Sequence, residues 1–217
     1  DLITQIAHKH KLFLIEDAAQ AIDSFYKGKP LGTFGHFAAF SFHETKNIIS
    51  GEGGMLVIND LSYVERAEII REKGTNRSKF FRGEVDKYGW VDIGSSFLPS
   101  EIIAAFLFAQ LEHLEEIQKK RKEIWNEYYN DLKILEAKEK ITLANIPDYA
   151  SNNGHMFYML CNSAQERTML IAYLKSLEIL PTFHYLSLHK SPYFNDSVAY
   201  LPNSDRYTDC LVRLPLY

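Results

Sequence analysis

The 217-residue chain is 46% hydrophobic and 13% aromatic, enough apolar material for one large or two small packed domains. A formal charge of −4 and a pI near 6.1 argue against a protein that coats nucleic acid. Cys161 and Cys210 supply neither a disulfide framework nor a CxxC metal pair, usage that fits a reducing compartment. No apolar stretch is long enough to span a bilayer, and the first residues lack the layout of a secretion signal. A cytoplasmic protein with no membrane partner is the expectation.

The chain opens at Asp1-Leu2-Ile3 without an initiator methionine and closes on Leu214-Pro215-Leu216-Tyr217, so it reads as an interior piece of a longer polypeptide, truncated at both ends. Leu2, Ile3, Ile6 and Ala7 fall at helical spacing over 2–10, and Lys11 to Ile15 reads as an apolar strand of a parallel sheet. A turn at Gly28, Lys29 and Pro30 leads through Gly32 and Gly35 to a strand over 37–42. Gly51, Gly53 and Gly54 make a tight connection into a strand over 55–58, and a helix follows over 62–73. Short apolar strands buried on both faces, with helices between them, predict an α/β domain.

Residues 75–99 mix glycine, arginine, lysine, aromatics and serine without a period and read as a long loop, a feature more often functional or intersubunit than idle. Pro99-Ser100-Glu101 then starts what reads as one long helix, its apolar positions running from Ile103 to Leu135. At about 1.5 Å per residue it reaches roughly 50 Å, enough to connect two domains. Strands over 141–144, 156–161 and 180–185 with a helix over 165–178 predict a small α+β lobe. The expected organisation is 1–125, the C-terminal part of a large α/β domain with its interdomain helix, and 126–217, a small α+β domain.

The chemistry centres on two strand ends. Lys46 follows the apolar run Ala38-Ala39-Phe40-Ser41-Phe42, and a lysine at the mouth of a buried strand is a candidate amine nucleophile. Asp17, at the end of the Leu14-Ile15-Glu16-Asp17 strand, is an acid suited to a cationic ring nitrogen. Together they suggest a pyridoxal-phosphate site. Each has a plainer reading alone: a solvated lysine, an aspartate capping a helix, and for Ser41 a hydroxyl that satisfies strand backbone. The glycines of 51–54 match neither GxGxxG nor a Walker loop. His8 and His10 face different ways, and His155, His184 and His189 lack partners at ligand spacing, so no metal site is expected. Phe80, Phe81, Tyr88, Trp90 and Phe97, interleaved with Arg77, Arg82 and Lys87, suit a base-stacking surface or a dimer interface equally.

Glu16-Asp17-Ala18-Ala19-Gln20, Ser41-Phe42-His43-Glu44-Thr45-Lys46 and Gly51-Glu52-Gly53-Gly54, in that order, resemble the DegT/DnrJ/StrS sugar aminotransferases. The resemblance continues through Arg71–Arg77, Gly94–Glu101, Phe183-His184-Tyr185 and Arg213–Leu216. It implies a pyridoxal-phosphate transferase of fold type I, the aspartate-aminotransferase fold. By the same resemblance Lys46 is the Schiff-base lysine that also shuttles the proton, and Asp17 pairs with the pyridine nitrogen. Ala19 packs under the ring, Gln20 lies near the phenolic oxygen and Ser41 binds the phosphate; His184 and Tyr185 fall near the sugar site. The stretch 71–98 is most similar to members that aminate dTDP-4-keto-6-deoxy-glucose from glutamate, giving dTDP-4-amino-4,6-dideoxygalactose for cell-surface polysaccharide. The partners so implied are a nucleotide sugar, glutamate and a second subunit sharing the active site. Leu98 stands where many members carry an asparagine that reaches the partner's phosphate. Competing readings are a catalytically incomplete fragment and a non-catalytic nucleotide-sugar binding homologue.

Overall fold

The computed structural model describes residues 2–194 and 200–216. The chain divides into two compact units, Asp1–Ile117 and Gln118–Tyr217.

The first unit begins with helix α1 (Leu2–Lys9), which ends in a Schellman turn: Lys11 takes a left-handed φ of 52°, its N–H bonds the His8 carbonyl, and Leu12 N–H reaches the Ala7 carbonyl at 2.8 Å. The cap consumes residues the sequence assigns to a strand over 11–15. Leu14 bonds instead to His36, its N–H donating to Nδ1 at 3.0 Å, and strand β1 is confined to Ile15–Asp17. A short hairpin follows, β2 (Phe25–Tyr26) and β3 (Lys29–Pro30), with Lys27 and Gly28 both at positive φ as a two-residue connection requires. Strand β4 (Phe37–Ser41) pairs in parallel with β1 and antiparallel with β5 (Gly54–Ile58), giving a three-stranded sheet of order β1-β4-β5.

No strand of this sheet matches the expectation of burial on both faces: even in central β4, Ala38 is fully buried but its neighbour Ala39, on the opposite face, is exposed. Ile15 on β1 and Leu56 on β5 are 65% and 55% exposed. The helix expected over 62–73 forms as a 3-10 turn, Leu61–Tyr63, capped by Asp60, and then α2 (Val64–Arg71). The long loop is more ordered than its composition suggests. It holds α3 (Arg77–Phe81) and two bridges, Glu72 with Ser96 and Thr75 with Trp90. Gly74 (φ 75°) is obligatory at this crossing, because a Cβ there would collide with the Asp92 carbonyl.

The single long helix is in fact two, α4 (Glu101–Glu112) and α5 (Leu114–Ala137). The break falls at His113, whose ψ of 15° leaves the helical region. The sequence carries the reason: Glu115 and Glu116 favour a helix start, and the His113 ring sits 3.3 Å from Glu116 across the new first turn.

In the second unit, strands β6 (Ile141–Leu143) and β7 (Phe157–Cys161), helices α6 (Ala164–Ser176) and α7 (Pro202–Cys210), and strand β8 (Leu211–Leu214) form an antiparallel sheet of order β6-β7-β8 with helices. Its core joins Trp125, Phe157, Met159 and Val212, with Tyr128, Tyr129 and Leu132 of α5 packed against them. The same helix face reads the backbone leading into β7. Gln118 Nε2 donates to the Asn153 carbonyl, Arg121 to those of Gly154 and His155, and Trp125 Nε1 to that of Met156 at 3.1 Å. The strand expected over 180–185 shrinks to one residue: Thr182 exchanges backbone hydrogen bonds with Arg213 of β8, and Pro181 beside it has no N–H to extend the ladder.

Candidate active site

Because β1 and β4 run parallel, both deliver their C-terminal residues to one edge of the sheet. Asp17 lies opposite Ala39, the ladder continues as Ala18 N–H donates to the Ala39 carbonyl at 2.9 Å, and Ser41 ends β4. In open α/β sheets this carboxyl edge is where ligands bind. Asp17 is exposed there, its Oδ1 accepting the Ala19 N–H at 3.1 Å, a local turn that fixes the carboxylate against its own backbone. Ala19 is half-buried and Gln20 exposed just beyond it.

Lys46 sits on the loop that carries β4 into β5, and this loop is closed rung by rung. Phe42 N–H donates to the Gly53 carbonyl, Ser50 N–H to that of Phe42 and Glu44 N–H to that of Gly51. Gly53 is needed for the closure: its φ is 146°, and a Cβ would stand 2.8 Å from Ser50 Oγ. A final turn joins Lys46 N–H to the His43 carbonyl at 2.9 Å, leaving the lysine half-buried above Asn47 and Ile48, 4% and 1% exposed. The His43 N–H donates in turn to Ser41 Oγ at 3.3 Å. Asp17, Ala19 and Ser41 thus lie at or just past the carboxyl ends of β1 and β4, and Lys46 lies on the loop that leaves β4.

Sequence reasoning missed what holds the approach to β4. Glu16 accepts three backbone N–H groups from the segment before β4: Phe34 at 2.6 Å and Gly35 at 2.8 Å on Oε1, Gly32 at 2.8 Å on Oε2. Asn59 Nδ2 donates to the Gly32 and Gly35 carbonyls from the far end of β5. Glu16 beside the candidate Asp17 was the visible signal, but its partners lie too far along the sequence to be read from spacing.

His184 and Tyr185 belong to the second unit. They line a cleft of about 370 Å³ there, with Ser187, Ser204, Tyr207 and Thr208. The hydroxyls are linked, Ser187 Oγ to Thr208 Oγ1 at 2.8 Å and Ser204 Oγ to Ser187 Oγ at 3.1 Å. Burial, reinforced by Arg213, pushes the His184 imidazole pKa down and favours its neutral form. Behind the cleft Asp205 lies 3.1 Å from His189 Nε2 and 3.0 Å from Lys190 Nζ, and the Lys190 ammonium is the main cause holding its carboxyl below the usual range. Among the described residues no group of His, Cys, Asp or Glu is placed to hold a metal ion, and no helix is long and apolar enough to cross a membrane.

The aromatic segment of the first unit pairs both its arginines internally. Arg77 Nη1 bonds the buried Glu72 carboxylate at 2.7 Å with its guanidinium over Phe81, and Arg82 bonds Glu68 and Glu84. Trp90 and Phe97 are left 81% and 65% exposed.

A carboxylate and a hydroxyl at the ends of a parallel strand pair, followed by a primary amine on the next loop, are groups suited to a carbonyl-bearing, cationic cofactor. The chain belongs to the DegT/DnrJ/EryC1/StrS aminotransferase family, whose model matches residues 1–217. It is 31% identical to protein MJ1066 of Methanocaldococcus jannaschii, over 100% of this chain and 58% of that protein. With the GDP-perosamine synthase of Escherichia coli O157:H7 it shares 32% identity over 89% of this chain and 50% of that protein. The crystal structure of a DegT/DnrJ/EryC1/StrS aminotransferase from Brucella abortus superimposes with a TM-score of 0.82 at 27% identity, over 99% of this chain and 55% of that one. The chain thus spans little more than half the length of the relatives it matches. Members of the family bind pyridoxal phosphate, and fold neighbours have been solved in pyridoxal- and pyridoxamine-phosphate forms. The fold is that of these transferases, as the sequence motifs imply.

Proposed function

We propose that this chain carries the catalytic lysine region of a pyridoxal-phosphate-dependent nucleotide-sugar aminotransferase. The reaction is transfer of an amino group from glutamate to the 4-keto carbon of a dTDP-4-keto-6-deoxy-hexose. The observation that supports the reading is that the parallel strands β1 and β4 end in Asp17 and Ser41 at one sheet edge, with Lys46 on the loop that follows β4. The donor set fits the cofactor: an amine for its aldehyde, a carboxylate for its pyridine nitrogen, a hydroxyl for its phosphate, and the small Ala19 where a flat ring must pack.

When bound, pyridoxal phosphate supplies an electron-withdrawing ring that stabilises negative charge on the carbon being deprotonated. Lys46 would hold the cofactor through its amine, and the same amine would serve as the base that removes a proton from the substrate carbon and returns it. Asp17 keeps the ring nitrogen protonated, its orientation set by the Ala19 N–H. Ser41 and Gln20 bind the phosphate and the phenolic oxygen. His184 and Tyr185 contribute to binding the sugar, a role supported by the hydroxyl-lined cleft they share with Ser187 and Thr208.

The internal pairing of Arg77 and Arg82 favours the interface reading of the aromatic segment over diphosphate binding, so a homodimer sharing its active sites is part of the proposal. The test is an absorbance titration with pyridoxal phosphate, followed by assays with glutamate and a panel of keto-sugar nucleotides. A visible band abolished by Lys46→Ala supports the reading. No band, or a band that survives the substitution, overturns it.

A further inference from the structure

In the turn that carries Lys46, three backbone N–H groups follow that of His43. Glu44 N–H is taken by the Gly51 carbonyl and Lys46 N–H by the His43 carbonyl, both backbone acceptors. Thr45 N–H is different: its acceptor is a side chain, His43 Nδ1, at 3.2 Å, and Thr45 Oγ1 lies 3.0 Å from the same nitrogen. An Nδ1 that accepts an amide proton carries none itself, so this contact calls for the Nε2–H tautomer. That nitrogen faces Glu52 Oε1 at 3.7 Å, on the strand-entry loop across from the turn. The ring is 40% exposed, so it adds little to the core. Its contacts are made to the turn and to the Gly51–Gly54 connection.

We infer that His43 is a positioning residue for Lys46: its Nδ1 acts as the acceptor that closes the Thr45 amide and so fixes where the lysine leaves the turn. The proposal rests on the aminotransferase reading, since it is the attack of the Lys46 amine on the cofactor aldehyde that this placement would favour. An amine held in one orientation forms that bond with less loss of freedom than one on an open turn. The chemistry also names a substitute. An asparagine at this position can accept the N–H two residues on through its own Oδ1, the same local ring that short polar side chains form in turns. A phenylalanine keeps the ring and loses the acceptor.

The experiment compares wild type, His43→Asn and His43→Phe by three readouts. The first is the dissociation constant of pyridoxal phosphate from its absorbance. The second is the fraction of protein permanently labelled at residue 46 after borohydride reduction, read by mass. The third is kcat against KM for glutamate. In the cofactor-free protein, imidazole nitrogen NMR of wild type should show the Nε2–H form. His43→Phe should weaken cofactor binding and lower kcat by about tenfold, the worth of one well-placed hydrogen bond, with KM for glutamate unchanged. His43→Asn should recover to within about threefold of wild type. The proposal is overturned if Phe matches wild type, if Asn and Phe fall together, or if the imidazole proton resides on Nδ1. Failure of wild type itself to take up cofactor strikes the aminotransferase reading instead, and this inference falls with it.

Discussion

Glu16 and Gly35, far apart in the sequence, are joined by a 2.8 Å hydrogen bond from the Gly35 amide to the Glu16 carboxylate, and the same oxygen accepts the Phe34 amide at 2.6 Å. One strand end thus carries two acids with separate tasks. Glu16 grips the approach to β4, and Asp17 is presented at the edge. Glycine is required at 35, because a Cβ would stand 2.5 Å from the Leu14 carbonyl.

Glu16→Gln should loosen this grip. A glutamine keeps one acceptor oxygen and turns its other end into a donor aimed at N–H groups, so at least one of the three amides loses its partner. The expected cost is about 1–3 kcal/mol. Hydrogen exchange should speed at Gly32, Phe34 and Gly35 before it changes elsewhere in the first unit, and urea unfolding should shift to lower concentration. Unchanged exchange at these three amides would show that Glu16 contributes nothing.

Asp17→Asn separates geometry from charge. The asparagine oxygen still accepts the Ala19 N–H, so the local turn survives, but the negative charge is gone. Under the proposed function, cofactor uptake should persist while kcat falls by at least about tenfold, because a charge-assisted bond to the ring nitrogen becomes a neutral one. Equal kcat in the two proteins, measured at saturating glutamate, would remove Asp17 from its role.

Acid should act on the second unit through Asp205. Its carboxyl pKa is held down, chiefly by Lys190, so the folded state binds this proton less readily than the unfolded chain. The stabilisation is fully present above the ordinary carboxylate pKa and is lost as pH falls through the lowered folded-state value. Acid unfolding followed by Trp125 fluorescence should therefore lose part of its pH dependence below about pH 4 in Asp205→Asn. A variant with the wild-type acid profile would contradict the linkage.

The candidate site was legible because its chemistry is local in sequence. Asp17 and Lys46 each follow a short apolar strand, and the Gly51–Gly54 connection lies just beyond, so ordered motifs carried both the family and the edge. The fold was less legible wherever caps and partners decide. A helix cap took Lys11 and Leu12 from the strand their hydropathy suggests. The continuous apolar spacing from Ile103 to Leu135 concealed a break marked by Glu115 and Glu116 and by the pairing of His113 with Glu116. The hairpin around Gly28 was visible as a turn, not as two paired strands, because Phe25-Tyr26 and Lys29-Pro30 are too short to show alternation. Helix α7, rich in Asn, Ser, Asp and Thr, has little apolar pattern to betray it. The three amides on Glu16 are tertiary facts, invisible to any short window along the chain.

The row Gln118, Arg121 and Trp125 on α5, each donating to a carbonyl between Asn153 and Met156, acts as a matched template. Side-chain length and backbone path are fitted to each other there, so neither can be exchanged alone. Anyone recombining this chain with its homologues should transplant 118–125 and 153–156 as one cassette. Crossover points between those two stretches would pair a reader with the wrong text.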